Sequence, residues 1–289
     1  MNQKDPAEAA ERKQALAGVF HRASSTYDHI GPNVFAYFGR KLVEHAALPL
    51  HARVLDVASG RGAVLFPAAE AVGPQGSVLG IDLAEGMAKE TAHEAAQRGL
   101  SNVVVRQMDA EHLDFQDSSF DAILCGFALF FFPQLEHTLA EFHRTLKPGG
   151  RIALTTWGNQ FAKDWEWFEK LIEKYLPPKA KDEQMSNSSA KPEFDKPEGM
   201  EILIKAAGFT NIQVLSETAD FTYATREEWW ESLWSHGARA PLERIEKTGG
   251  PQALAQFKAE CLEQISARDG SQDFQRSFHV LYTLAVKPL

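Results

Sequence analysis

The residues best suited to bind or transform a small molecule gather around one glycine turn. Val54-Leu55-Asp56-Val57-Ala58-Ser59-Gly60-Arg61-Gly62 reads as a buried strand running into a loop. There Gly60 and Gly62 let backbone N–H groups approach a ligand. Roughly twenty residues on, Val78-Leu79-Gly80-Ile81-Asp82 ends a second apolar run in a carboxylate, placed to accept the hydroxyl protons of a ribose. The two features together point to an adenosine-containing ligand at the carboxyl edge of a parallel sheet.

Two ligand classes compete for that turn. A dinucleotide pyrophosphate calls for G-x-G-x-x-G. Here Ala58, Gly60 and Gly62 are followed by Leu65 where the third glycine would stand. Asp56, at the strand end, would repel a pyrophosphate but suits a ligand carrying positive charge. S-adenosylmethionine carries an ammonium and a sulfonium, so the charge argument favours it.

Other side chains are candidates for acceptor chemistry. No two of the ten histidines stand at a metal-ligand spacing, and no metal is expected. His236, in Trp234-Ser235-His236-Gly237, falls in a helical insertion expected to cover an acceptor. Tyr27 and His29 fall in an N-terminal loop expected to close over the donor. These three are the candidate catalytic residues, set against the plainer reading of solvated or satisfied side chains. Phe127, Phe130, Phe131 and Phe132 follow the fourth strand candidate, where rings either pack the next helix or line an apolar pocket. Tyr175 and Lys179 match a Y-x-x-x-K spacing, but Pro177 and Pro178 break the helical turn that pair needs.

The elements that must position these groups follow from the patterning. Asp5-Pro6 marks a helix start, running to about Phe20, and a second helix covers about 33–47. Strands are expected at 53–58, 77–82, 103–108, 120–126 and 151–157, with helices at about 63–72, 85–98 and 135–146. That alternation predicts a parallel sheet covered by helices on both faces. Gly73-Pro74-Gln75-Gly76 and Lys147-Pro148-Gly149-Gly150 read as turns, and Gly208 as the end of a helix over about 197–207. Residues 177–198, rich in Pro, Lys, Ser and Asp, read as a long mobile connection. A last strand is expected over 277–286.

At this point the chain resembles the class I S-adenosylmethionine-dependent methyltransferases, and within them the ubiquinone/menaquinone-biosynthesis type and related small-molecule methyltransferases. The family's L-D-x-G-x-G-x-G stands here as Leu55 to Gly62 with Ala58 for the first glycine. Its D-A-x-x-L-x-F stands as Asp109-Ala110-Glu111-His112-Leu113-Asp114-Phe115, and Ser119-Phe120-Asp121 and Leu146-Lys147-Pro148-Gly149-Gly150 also match. The resemblance implies an α/β, Rossmann-like doubly wound sheet of seven strands with an antiparallel last strand, plus N-terminal helices and a helical cap. It implies that Asp56, Ala58, Gly60, Gly62, Asp82, Leu83, Met87, Asp109, Ala110, Cys125 and Phe127 form the donor site. Tyr27 belongs with them, since the N-terminal helix with Tyr27-Asp28 resembles the family's donor cover.

The expected organisation is a helical lid over 1–50, a donor-binding core over 51–218, a cap over the acceptor site at 219–277 and a last core strand over 278–289. Composition agrees with a globular protein, at 44% hydrophobic and 24% charged residues. Thirty Lys and Arg against 39 Asp and Glu give a net charge of −9, which argues against nucleic-acid and anionic-membrane partners. Cys125 and Cys261 are the two cysteines, too few for a disulfide framework, and no export signal is visible, so a cytoplasmic location is expected. The function expected is methyl transfer from S-adenosylmethionine to a small, apolar or aromatic acceptor. The alternatives are a non-catalytic binder of that nucleoside and a dinucleotide-dependent oxidoreductase.

Overall fold

The computed structural model describes residues 6–176, 193–269 and 274–289. Its centre is a seven-stranded sheet in the order β3-β2-β1-β4-β5-β7-β6. The strands are β1 Arg53–Val57, β2 Ser77–Asp82, β3 Val103–Gln107, β4 Phe120–Gly126, β5 Leu146–Trp157, β6 Thr210–Thr222 and β7 Gln275–Val286. β1 to β5 pair in parallel, and β7 runs antiparallel between β5 and β6.

The two central strands show why the sheet forms. Val54, Leu55, Val57, Ala122, Ile123 and Leu124 are all fully buried, because helices cover both faces and leave no polar side. Their side chains divide between two core clusters. Val54, Ala122 and Leu124 pack with Phe38 and Leu42 of α2 (Val34–Ala46), while Leu55, Val57 and Ile123 pack with Leu139 and Phe142 of α5 (Leu135–Thr145). The crossover helices α3 (Leu65–Val72) and α4 (Glu85–Gln97) complete the β1–β3 half.

The strand and helix positions follow the sequence pattern, with three differences. The Lys147–Gly150 turn is absorbed into the start of β5, with Gly149 at φ 73° and a register shift against β4. β6 is longer than its apolar stretch suggests, because Ser216 to Thr222 pair with β7 across alternating, half-exposed positions. A helix not expected from the sequence, α6 (Asn159–Tyr175), follows β5. Tyr175 ends it, whereas Lys179 and most of the expected 177–198 connection lie outside the described residues.

Helices α6, α8 (Arg226–Trp234) and α9 (Arg239–Asp269, kinked at Gly250) enclose a separate third cluster of Phe168, Trp229, Trp230, Leu233, Phe257 and Cys261. Thr225 caps α8, its hydroxyl accepting from the Glu228 N–H at 3.0 Å. α7 (Pro197–Ala206) lies against β6 and ends at Gly208, φ 89°. The N-terminal helix α1 (Pro6–Ala23) packs on α4 and touches α9. No helix among the described residues is long and apolar enough to cross a membrane.

Candidate active site

The turn after β1 is a left-handed staircase. Ala58 has φ 54°, Gly60 φ 49° and Gly62 φ 83°. A Cβ on Gly62 would meet the Phe66 ring at 2.4 Å, so that glycine serves packing of α3 against the loop. Ala58 keeps a Cβ in a region that costs L-residues roughly 1–2 kcal/mol. Arg61 points out of the turn, donating to the Ser24 carbonyl at 2.6 Å and to Glu94 at 2.9 Å. It thereby fastens the N-terminal loop to α4.

Asp82 closes the turn from β2. Its Oδ2 accepts from the Gly60 N–H at 2.9 Å and its Oδ1 from the Ala84 N–H at 2.8 Å. Burial nevertheless pushes its pKa up to about 6 against those two hydrogen bonds. Asp56 is only 1% exposed. Burial, then the charge of Asp82, raises its pKa well above the usual carboxylate range. The Leu65 N–H opposes that rise, but neither carboxylate oxygen is in a well-formed hydrogen bond, and the Ser59 hydroxyl is also unpartnered.

A cavity opens at these strand ends. Tyr27, Ala58, Gly60, Asp82, Leu83, Met87, Asp109, Ala110 and Phe127 all line it. Three expected donor residues do not. Cys125 is fully buried in the α5-side core, because its side chain on β4 faces that layer. Asp56 lies among the buried polar groups of the turn, off the cavity wall. Gly62 lines a separate outer cleft. The free volume is about 90 Å³, below the roughly 300 Å³ where small-molecule sites begin. Lys13, Leu16, Ala17 and Phe20 of α1 form part of its wall. Sequence reasoning did not single out these four, since α1 carries only a weak apolar stripe. Lys13 donates to Asp109 Oδ2 at 2.6 Å and to the fully buried Glu111 at 2.8 Å.

A second cavity, about 310 Å³, lies beyond Tyr27 and is walled by aromatic rings. Phe35, Trp157, Phe161, Trp165, Phe168 and Trp229 are among its lining residues. Trp157 stacks between Phe127 at 4.2 Å and Phe161 at 4.3 Å. Phe161, Trp165, Phe168 and Ile172 recur at helical spacing, a signal for the missed α6. Phe130 and Phe131 line this cavity, and Phe132 lines the first. Phe20, Tyr27, Phe127 and Phe131 border both cavities. Phe127 holds φ 54°, an outlier for a bulky residue. Its N–H is shared between the Thr155 carbonyl and hydroxyl at 3.1 and 3.0 Å.

The candidate catalytic residues separate. Tyr27 stacks on Phe35 at 5.3 Å, and burial, reinforced by Asp28, drives its phenol further from ionisation. His236 lines the aromatic cavity, and burial pushes its pKa down to about 4. His29 is exposed and lines the outer cleft with Arg40, Arg61 and Arg98. The chain's turn at Asp28, φ 54°, sends the two neighbouring side chains different ways. Asp28 itself lines the aromatic cavity, and its oxygens accept from the Phe35 and Ala36 N–H groups at 3.2 and 2.8 Å. The resemblance groups it with Tyr27 in the donor cover, whereas Asp28 lines the aromatic cavity and not the smaller one. Among the described residues no cluster of His, Cys, Asp or Glu could hold a metal ion.

A doubly wound sheet with an antiparallel penultimate-position strand, a glycine turn and a closing acid defines a Rossmann-like α/β protein. Comparison with known proteins narrows this. Residues 54–150 match a family described as a methyltransferase domain. Nocamycin O-methyltransferase of Saccharothrix syringae is 32% identical over 271 residues, covering 91% of this chain and 95% of that protein. Aklanonic acid methyltransferase DauC of Streptomyces sp. (strain C5) is 44% identical over 144 residues, half of this chain and 66% of that one. The YcgJ protein of Bacillus subtilis shares the fold at TM-score 0.58 and 18% identity, over 88% of this chain and 99% of its own. The chain belongs to the class I S-adenosylmethionine-dependent methyltransferases.

Proposed function

We propose that the protein transfers a methyl group from S-adenosylmethionine, held in the smaller cavity, to an apolar or aromatic small molecule held in the larger one. The observation that carries this is the shared wall: Phe20, Tyr27, Phe127 and Phe131 border both spaces, so a group at the end of one faces the other. The names of the nocamycin and aklanonic acid relatives point to small-molecule acceptors, and neither supports a dinucleotide enzyme or a non-catalytic binder.

The lining residues fit the donor in kind, and the cavity of about 90 Å³ admits it when α1, whose Lys13, Leu16, Ala17 and Phe20 form part of the wall, moves outward. Asp82 retains lone pairs for ribose hydroxyls beside the backbone bonds it already accepts. The orphaned oxygens of Asp56 and the Ser59 hydroxyl lie behind the cavity wall, a buried polarity that an ammonium group would satisfy through an intervening water. Asp109 and Ala110 would border the adenine, with Leu83 and Met87 packing the nucleoside. S-adenosylmethionine, once bound, supplies a methyl already activated on a sulfonium. The aromatic walls then orient the acceptor, and orientation of this kind is worth up to roughly 7–11 kcal/mol.

In this reading residues 1–50 are a lid and the helices α8 and α9, between β6 and β7 and inside the expected 219–277, are a cap. The Arg22–Glu243 pair, 2.5 Å, joins them, and together they keep water from the transfer. A cytoplasmic setting accords with two buried cysteines in the free thiol form. The test is a melting shift with S-adenosylhomocysteine followed by turnover on a panel of hydroxylated aromatic compounds. Stabilisation by the nucleoside and release of S-adenosylhomocysteine with a methylated product are expected. Stabilisation by NAD instead would contradict the reading.

A further inference from the structure

The polar face of the aromatic cavity holds an imidazole whose tautomer is fixed by its own turn. His236 sits between α8 and α9, and the Ala238 N–H donates to its Nδ1 at 3.4 Å. A nitrogen that accepts a backbone N–H cannot carry a proton, so in the neutral ring the proton lies on Nε2. No described residue is hydrogen-bonded to Nε2, and the ring lines the acceptor cavity. The next residue, Gly237, approaches Phe131 and Phe20, two of the rings that border both cavities. Phe35 meets the imidazole edge-on at 6.1 Å and itself stacks on Tyr27. The imidazole therefore lies beside the junction where transfer would occur.

The rest of the lining sharpens its role. Among the described residues no Lys or Arg lines this cavity. The Ser232 and Ser235 hydroxyls donate to the Trp229 and Ser232 carbonyls at 2.7 Å each, and so are spent on their own helix. Asp28 brings an acceptor-only carboxylate when ionised, and Tyr27, Tyr223 and Glu169 are the other titratable groups of the lining. None of them appears among the causes of the low His236 pKa, which is burial alone.

We infer that His236 is a hydrogen-bond donor through Nε2–H and not a general base, and that it selects aromatic acceptors bearing a carbonyl-type oxygen. Resting on the acceptor reading of the larger cavity, this names the substrate class of that same site. The ring grips an oxygen lone pair and fixes the acceptor's rotation in the aromatic slot. It takes no proton from it.

Two measurements test this. Long-range ¹H–¹⁵N NMR of the histidine-labelled protein, with His236→Phe for assignment, reads the tautomer directly. A protonated Nε2 and an unprotonated Nδ1, unchanged from pH 5 to 8, are expected. A proton on Nδ1, or titration within that range, overturns the inference whatever the activity. The second measurement is binding of 2-acetylnaphthalene against 2-ethylnaphthalene, a pair differing in one carbonyl oxygen, to the protein saturated with S-adenosylhomocysteine. The protein should prefer the ketone several-fold, as one net hydrogen bond allows. His236→Gln, which keeps an amide donor, should retain the preference, and His236→Phe should lose it. No preference in the unaltered protein, or one that survives in His236→Phe, contradicts the inference. Failure of S-adenosylhomocysteine to bind would instead count against the donor reading, which the NMR result does not touch.

Discussion

Lys13 and Asp109 form an ion pair 2.6 Å long between the first helix and the loop that follows β3. The same ammonium reaches Glu111 at 2.8 Å, which has no exposed surface. One side chain of α1 thus spans the outer wall of the donor cavity and neutralises a buried carboxylate.

Removing it should be felt twice. Lys13→Met leaves Glu111 buried without its cation, and breaking a buried pair from one side costs about 3–5 kcal/mol. Discounted for the 17% exposure of Lys13, a loss of about 2–3 kcal/mol in unfolding free energy is expected in denaturant titrations. Glu111→Gln in the same background should recover part of it. Stopped-flow release of S-adenosylhomocysteine should also be faster in Lys13→Met, because α1 is then free to withdraw.

Asp82 gives the protein a pH signature. Burial raises its folded-state pKa to about 6, and Asp28 is likewise pushed up to about 6 by burial. The folded form therefore binds these protons more tightly than the unfolded chain. Their stabilising contribution is complete below the ordinary carboxylate pKa and is lost as pH rises from about 4 through about 6. Glu141 and Glu243, held low by Arg144 and Arg22, act oppositely at more acid pH. His236, pushed down to about 4 by burial, opposes them over the same window, so the check is a comparison: the melting temperature at pH 5 relative to that at pH 7.5, without ligand, should be lower in Asp82→Asn than in the unaltered protein. Affinity for S-adenosylhomocysteine should move the other way, rising from pH 5 to 7.5, because ribose hydroxyls donate to the ionised acid. Asp82→Asn should flatten that dependence in calorimetry.

Ala58 should be improvable. At φ 54° it occupies a left-handed position that glycine adopts without strain, so Ala58→Gly should stabilise the fold by up to about 1 kcal/mol, less the added entropy of the unfolded chain. Equal or lower stability by chemical denaturation would show that the Ala58 methyl packs well enough to offset the strain.

Trp165 separates the two cavities functionally. It lines only the aromatic one, tilted against Phe161 at 5.5 Å and Trp229 at 6.0 Å. Trp165→Ala should raise the KM for an aromatic acceptor about tenfold or more while leaving the S-adenosylhomocysteine Kd unchanged. A parallel loss of nucleoside affinity would mean that α6 supports the donor side.

The parallel half of the sheet was legible because its strands are short, continuously apolar and punctuated by Gly and Pro. The spacing of Gly60 and Asp82 put both at one ligand edge, and the structure joins them directly at 2.9 Å. Cys125 could not be placed that way. On a strand buried on both faces, nothing in the local pattern says which side a residue takes, and it fell on the α5 side. α6 escaped notice because Trp and Phe are equally at home in strands, although Phe161, Trp165 and Phe168 share one helical face. His29 and Asp28 depended on a single left-handed residue that local sequence does not reveal. The role of Lys13 is a tertiary fact, created by a partner 96 residues away.

Calorimetric titration of S-adenosylhomocysteine into the unaltered protein and Asp82→Ala at pH 7.5 reaches the core of this account. The account predicts saturable binding in the first and a loss of about a hundredfold or more in the second, since the charge-assisted bonds to the sugar are each worth about 1.5–3 kcal/mol. Equal affinity in the two proteins, or no heat in either, would contradict it.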